Sequence, residues 1–196
     1  MDLVADRVRA AMASLEERDT RDRVDGTPQA RRLRAISPEV GRFLQTLVVG
    51  TGARTIVEVG TSGGYSTLWL ATGAARTGGR VVTFEIDPAK VELARTTFAT
   101  AGVGDVVEQR QGDGAAGLSE LEGAVDLVFL DSEKDDYLRV LEPAIVALRI
   151  GGLLVADNLI SHEADLTPFR EAALADPRLS GLVVPIGRGE LLAARV

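Results

Sequence analysis

The chain has 196 residues, 45% of them hydrophobic and 26% charged, and a formal net charge of −7; this fits one globular domain with a sizeable core and argues against a general nucleic-acid or acidic-membrane binder. Cysteine is absent and His162 is the single histidine. This excludes disulfides, thiol nucleophiles and multi-histidine metal sites, so any metal must be a hard cation held by oxygen, such as magnesium or calcium.

No run approaches the roughly 18 apolar residues of a membrane span. The N-terminal stretch Met1 to Arg7 is charged, without an apolar signal core, and a cytoplasmic protein is expected. From Asp2 to about Arg18, Val4, Val8, Ala11, Met12 and Leu15 mark one helix face. Glu17 to Arg34 is dense in charge, with Gly26 and Pro28, and reads as a solvated linker. Ser37-Pro38-Glu39 starts a helix, with Ser as cap and Pro in the first turn, which ends at Gly50 and Gly52.

Thr55 to Val59 is a short β-branched apolar run, read as a buried strand. Gly60, Gly63 and Gly64 follow, then an amphipathic helix from Tyr65 to about Ala75. Strand, glycine turn, helix is how α/β proteins hold nucleotide-like ligands, although glycine turns after strands also serve as plain tight turns. Glu58 is a poor neighbour for a pyrophosphate and a good one for an ammonium or sulfonium. The glycine spacing also departs from G-x-G-x-x-G.

Arg80 to Ile86 is the second strand, and Asp87-Pro88 caps a helix to about Ala101. Asp105 to Gln111 is the third strand, followed by Gly112-Asp113-Gly114 and a short helix to about Leu121. Val125 to Leu130 is the fourth, ending at Asp131; a helix follows over Lys134 to Leu148, with Pro143 as a kink or break. Leu153 to Ala156 is the fifth, ending at Asp157-Asn158, with a helix over Thr167 to Ala175. Leu182 to Ile186 and Glu190 to Val196 form a hairpin through Gly187-Arg188-Gly189, so the last strand is antiparallel. The fold class is α/β, a Rossmann-like, seven-stranded, mostly parallel sheet with an antiparallel last strand and helices on both faces.

Ligands in such sheets bind beyond the carboxyl ends of the strands. Glu58, Glu85, Asp113, Asp131 and Asp157-Asn158 are expected there, although Asp and Asn also start turns and cap helices. Glu85 suits two ribose hydroxyls, and Asp113-Gly114-Ala115 can face an adenine. Together they describe an adenosyl pocket without a pyrophosphate.

These stretches carry a resemblance. Glu58-Val59-Gly60-Thr61-Ser62-Gly63-Gly64-Tyr65-Ser66, Phe84-Glu85-Ile86-Asp87, Phe129-Leu130-Asp131-Ser132-Glu133-Lys134 with Tyr137, and Gly151-Gly152 to Asp157-Asn158 resemble the class I S-adenosylmethionine-dependent methyltransferases. More closely, they resemble the cation-dependent O-methyltransferases acting on catechols and caffeoyl-CoA. The likeness covers about Arg34 to Val196. It implies a single methyltransferase domain over 1–196, with 1–35 as a helical extension and linker. It implies a methyl-donor site of Ile36, Ser37, Glu58, Gly60, Thr61, Ser62, Gly64, Ser66, Glu85, Ile86, Asp113, Gly114, Ala115 and Asp131. It further implies a divalent cation, usually magnesium, on Asp131, Asp157 and Asn158, with Lys134 as general base and Asp131 beside it. The acceptor would be a small catechol-like or polyphenolic hydroxyl compound, with no nucleic-acid or membrane partner, and the family suggests a homodimer.

The chain departs from that family after Asp157-Asn158, where the segment covering the acceptor is short. Arg188 stands where relatives often carry Asp. Both changes leave the acceptor open, and caffeoyl-CoA specificity does not follow. His162 reads as a loop residue or a substrate-orienting group, and Tyr137 as packing for the following helix. A methyltransferase for RNA or protein, a non-catalytic adenosyl-binding module and a nicotinamide oxidoreductase are the competing readings. The acidic balance, the intact Asp131-Lys134-Asp157-Asn158 set and Glu58 argue against them in turn.

Overall fold

The computed structural model describes residues 3–196, and the expectations for Met1 and Asp2 lie outside the described residues. Seven strands form one sheet: β1 (Thr55–Val59), β2 (Arg80–Glu85), β3 (Val107–Gln111), β4 (Val125–Leu130), β5 (Leu148–Ala156), β6 (Leu179–Val184) and β7 (Glu190–Arg195). Their order is β3-β2-β1-β4-β5-β7-β6. Strands β1 to β5 pair in parallel, and β7 runs antiparallel to both its neighbours, as the tight final hairpin requires.

The helices are α1 (Leu3–Asp22), α2 (Pro38–Thr51), α3 (Tyr65–Thr77), α4 (Pro88–Ala101), α5 (Gly114–Ser119), α6 (Tyr137–Ala147) and α7 (Glu163–Ala175). Alternating strand residues feed two cores. Val57, Val59, Val128 and Leu130 pack with α5, α6 and α7, while Ile56, Leu127 and Phe129 pack with α1 to α4. Two-sided burial is why these strands read as continuous apolar runs. Start signals behave as expected: the Ser37 and Asp87 side chains accept from the Val40 and Ala89 N–H groups.

Some boundaries differ. Helix α1 continues to Asp22, through part of the expected linker. Its charged end is a tie to the next segment, because the Asp22 and Asp19 carboxylates accept from the Leu33 and Ala35 N–H groups at 3.3 and 3.2 Å. Lys134–Asp136 forms a separate 3₁₀ turn before α6, and Pro143 sits inside α6 without ending it. Helix α7 starts at Glu163, earlier than the pattern indicates, and β5 and β6 also begin earlier. Helix α5 stops at Ser119.

Candidate active site

Strand register builds the rim. Val59 pairs with Phe84 and Leu130, and Leu130 pairs with Ala156. The residues that follow, Gly60, Glu85, Asp131 and Asp157, therefore leave the sheet at one level. Above them lies a cleft of about 560 Å³. Its walls include Gly60, Thr61, Ser62, Ser66, Glu85, Ile86, Asp113, Gly114, Asp131, Lys134, Asn158, His162 and Arg188. Ile36, Ser37 and Asp157 line an adjoining hollow that shares Arg188 with the cleft. Gly64 caps α3 and Ala115 is buried in α5; neither is among the cleft-lining residues.

Glu58 is not where the sequence places it. It pairs within the sheet with Thr83 and Phe129, below the rim, and is fully buried. Its carboxyl accepts hydrogen bonds from the Ser66, Thr67 and Thr83 hydroxyls at 2.5–2.6 Å. Burial nevertheless raises its pKa to about 7. The group supports the cleft floor through Ser66, which does line the cleft.

On the β1–β3 side, the Glu85 carboxylate accepts from the Ser62, Ile86 and Asp87 N–H groups at 2.8–3.0 Å. Oε1 takes two of these donors and Oε2 one, so Oε2 keeps a lone pair for a further donor. Ile86 beside it is 73% exposed, an apolar surface open at the cleft mouth. Asp113 caps α5 through the Ala115 N–H and pairs with Arg139 at 2.7 Å. The Arg139 guanidinium is the first cause that holds the Asp113 pKa down. Gly60 is required here: its φ is +105°, and a Cβ would stand 2.1 Å from the Asp131 carbonyl oxygen. Gly64 at the start of α3 makes no side-chain cap, which leaves helix N–H donors facing the glycine turn.

On the β4–β5 side, chemistry-bearing groups converge. The Asn158 Nδ2 donates to Asp131 Oδ1 at 2.9 Å, and the Lys134 Nζ lies 3.4 Å from the same oxygen. Lys134 also donates to Ser132 O at 3.0 Å and to the Tyr137 hydroxyl at 3.1 Å. Tyr137 is fully buried edge-on to Phe169, and its O–H donates to Asp157 O at 3.1 Å. Packing and polar contact therefore coincide in Tyr137. Asp157 Oδ1 accepts from the Asn158 N–H at 2.6 Å, and Asn158 adopts φ +75°, a conformation asparagine tolerates. Burial, and then the Asp157 charge, raise the Asp131 pKa; Lys134 and Arg188 oppose this.

Glu190 is the residue the sequence reading missed. Leu191 pairs with Ala156 on β5, so Glu190 stands across from Asp157. It is fully buried, and neither carboxyl oxygen has a hydrogen-bond partner. Burial first, then the Asp157 charge, push its pKa up to about 10. The signal was present: a charged residue opening an apolar strand directly after Gly187-Arg188-Gly189.

Asp131 and Glu190 both feel the Asp157 charge, and the two Glu190 oxygens are orphaned in the interior. Such a set fits a hard cation. Among the described residues no three His, Asp or Glu side chains stand together as a metal cluster, so an amide such as Asn158 is needed to complete a donor set.

Comparison with known proteins agrees with this geometry. Residues 20–196 match the O-methyltransferase family model. A catechol O-methyltransferase of Mycobacterium tuberculosis is 42% identical over 127 residues, covering 64% of this chain and 57% of that protein. The chain thus spans little more than half the length of that relative. The structure of an O-methyltransferase from Bacillus cereus in complex with SAH superposes with a TM-score of 0.81 at 29% identity, covering 95% of this chain and 91% of that one. An O-methyltransferase of Streptomyces achromogenes involved in tomaymycin synthesis, in complex with SAM, gives 0.78 at 28% identity, covering 93% and 89%. The chain belongs to the S-adenosylmethionine-dependent O-methyltransferase family.

Proposed function

We propose that this protein methylates a hydroxyl of a small catechol-like acceptor, with Lys134 as general base and a divalent cation, magnesium by chemistry, held by Asp131, Asp157 and Asn158. The observation that carries this reading is the contact set around Asp131 Oδ1, which the Asn158 amide approaches at 2.9 Å and the Lys134 amine nitrogen at 3.4 Å. One carboxylate oxygen at the cleft wall thus gathers the proposed base and a proposed ligand. When bound, the cation would lower the pKa of an acceptor hydroxyl and orient it.

The chain's own residues do the rest. Glu85 would hold the donor ribose, Ile86 would cover the adenine, and the glycine turn at Gly60 would let the protein backbone come close to the donor. The acceptor oxygen attacks the methyl carbon. The O–CH₃ bond forms as the S–CH₃ bond breaks, the electron pair stays on sulfur, and the hydroxyl proton passes to Lys134. The 3₁₀ turn at Lys134–Asp136 fixes the approach of Lys134, and Tyr137 fixes its amine. Orientation of this kind supplies much of the rate enhancement in a transfer that needs only alignment and one proton acceptor. The net charge of −7 supports a small acceptor over a nucleic acid.

The test is methyl transfer to a panel of catechols with magnesium and with EDTA. Turnover with magnesium that vanishes in EDTA is expected. Equal turnover in both would end the cation part of the proposal, and donor binding without transfer to any catechol would end the acceptor part.

A further inference from the structure

The hairpin loop Gly187-Arg188-Gly189 is bonded to the turn that carries Asp157 and Asn158. The Leu159 N–H donates to Gly189 O at 2.8 Å, and the Ile160 and Ser161 N–H groups both donate to Arg188 O at 3.0 Å. There is no slack on either side. A Cβ on Gly187 would stand 2.3 Å from Val40 Cγ2, and one on Gly189 would stand 2.4 Å from Ile160 Cγ1. The backbone of Arg188 is therefore fixed beside the β4–β5 cluster.

Arg188 lines the cleft together with Asp131, Lys134, Asn158 and His162, and lines the adjoining hollow as well. It is half-buried, yet among the described residues its guanidinium makes no hydrogen bond and no ion pair. By contrast Arg34, at the same cleft, is paired with Glu133, and Arg139 with Asp113. Arg188 acts on Asp131 through charge alone. A half-buried guanidinium offers a planar fork of donors matched to a carboxylate, and the protein supplies none.

We propose that Arg188 determines acceptor specificity by binding a carboxylate on the acceptor ring, so that the substrate class is a catechol carboxylic acid. This rests on the catechol reading given above. The donor's own carboxylate is the competing anion, and the test separates the two.

The test is calorimetry on the full chain loaded with SAH and magnesium, titrated with protocatechuate, which is catechol with one ring carboxylate, and with catechol itself. Wild type, Arg188→Met and Arg188→Lys are compared, with kcat/KM for both acceptors and SAH affinity measured in parallel. Wild type is expected to prefer the acid by roughly tenfold or more, the scale of a charge-assisted hydrogen bond. Arg188→Met should erase that preference and Arg188→Lys should keep part of it. An acid-to-catechol affinity ratio that is the same in wild type and Arg188→Met overturns the proposal, as does a loss confined to SAH. Binding of neither compound overturns it together with the catechol reading. Retained acid preference in binding without any methyl transfer overturns the catechol reading and the substrate class with it, while the contact between Arg188 and the carboxylate stands.

Discussion

The Lys134 amine and the Tyr137 hydroxyl stand 3.1 Å apart, and that hydroxyl in turn donates to the Asp157 carbonyl oxygen at the same distance. The proposed base is thereby linked through one buried phenol to the backbone of a proposed cation ligand. Tyr137 is a positioning residue in this arrangement. Tyr137→Phe keeps the edge-on contact with Phe169 and removes only the hydroxyl. Loss of one buried hydrogen-bonding group costs about 1 kcal/mol of stability. A purely structural role would stop there. A positioning role also lowers kcat several-fold with little change in KM, a split that kinetics of Tyr137→Phe and wild type would reveal.

Lys134→Met should separate chemistry from binding. The side chain is held by Asp131, Ser132 and Tyr137 and does not support the core. Loss of a general base typically lowers kcat by about 10²–10⁴-fold, while affinity for SAH should change little because Glu85 and the glycine turn are untouched. Single-turnover rates and SAH titration would check this. Wild-type turnover in the variant would remove Lys134 from the mechanism.

Glu190 makes a prediction of opposite sign. A buried carboxyl with both oxygens unpartnered costs stability on the order of 1–3 kcal/mol. Glu190→Met has a similar shape and no polar atoms to satisfy. In protein freed of divalent ions it should raise Tm by several degrees. Magnesium affinity, measured by calorimetry, should fall at the same time, because a carboxyl facing Asp157 is lost from the cluster. A lowered Tm would show that the Glu190 carboxyl is bonded to Asp157, the group it faces.

Much of this architecture was legible in the sequence because the signals were local. Short β-branched runs, Ser37 and Asp87 as caps, and glycines at helix ends fix each element from its own residues. The rim was legible too, because parallel strands of similar length bring Gly60, Glu85, Asp131 and Asp157 to one level. What escaped depends on depth and pairing. Glu58 looks like a rim residue from its place before Gly60, yet one residue of strand pleat puts it among Ser66, Thr67 and Thr83 beneath the floor. Glu190 stands out in the sequence, but its place facing Asp157 follows only when β7 is inserted beside β5, a neighbour distant in the chain. The end of α1 escaped because Arg, Asp and Glu read equally as solvated linker or helix surface. Only the contacts of Asp19 and Asp22 with Leu33 and Ala35 decide between them.

Glu58 gives the pH dependence. Its carboxyl has an ordinary value of 4.5 and is raised to about 7 by burial, despite three hydroxyl donors. Between those values the unfolded chain releases the proton and the folded chain keeps it. The folded state then binds more protons, so stability falls as pH rises. The contribution is fully present below pH 4.5, is lost on passing through pH 7, and is constant above. Its size is about 3 kcal/mol, at roughly 1.4 kcal/mol for each step of one in pH between those two values. Other raised acids, Asp131 and Glu190, act on the same curve, so the difference between wild type and Glu58→Gln is the quantity to measure. Urea unfolding of both proteins without donor, at several pH values between 4.5 and 8, should show wild type losing that stability relative to the variant. The hydroxyls of Ser66, Thr67 and Thr83 can turn to meet the Gln amide, so the variant should fold. A difference that does not change with pH would mean that Glu58 is ionised in the folded protein throughout, held so by those three donors.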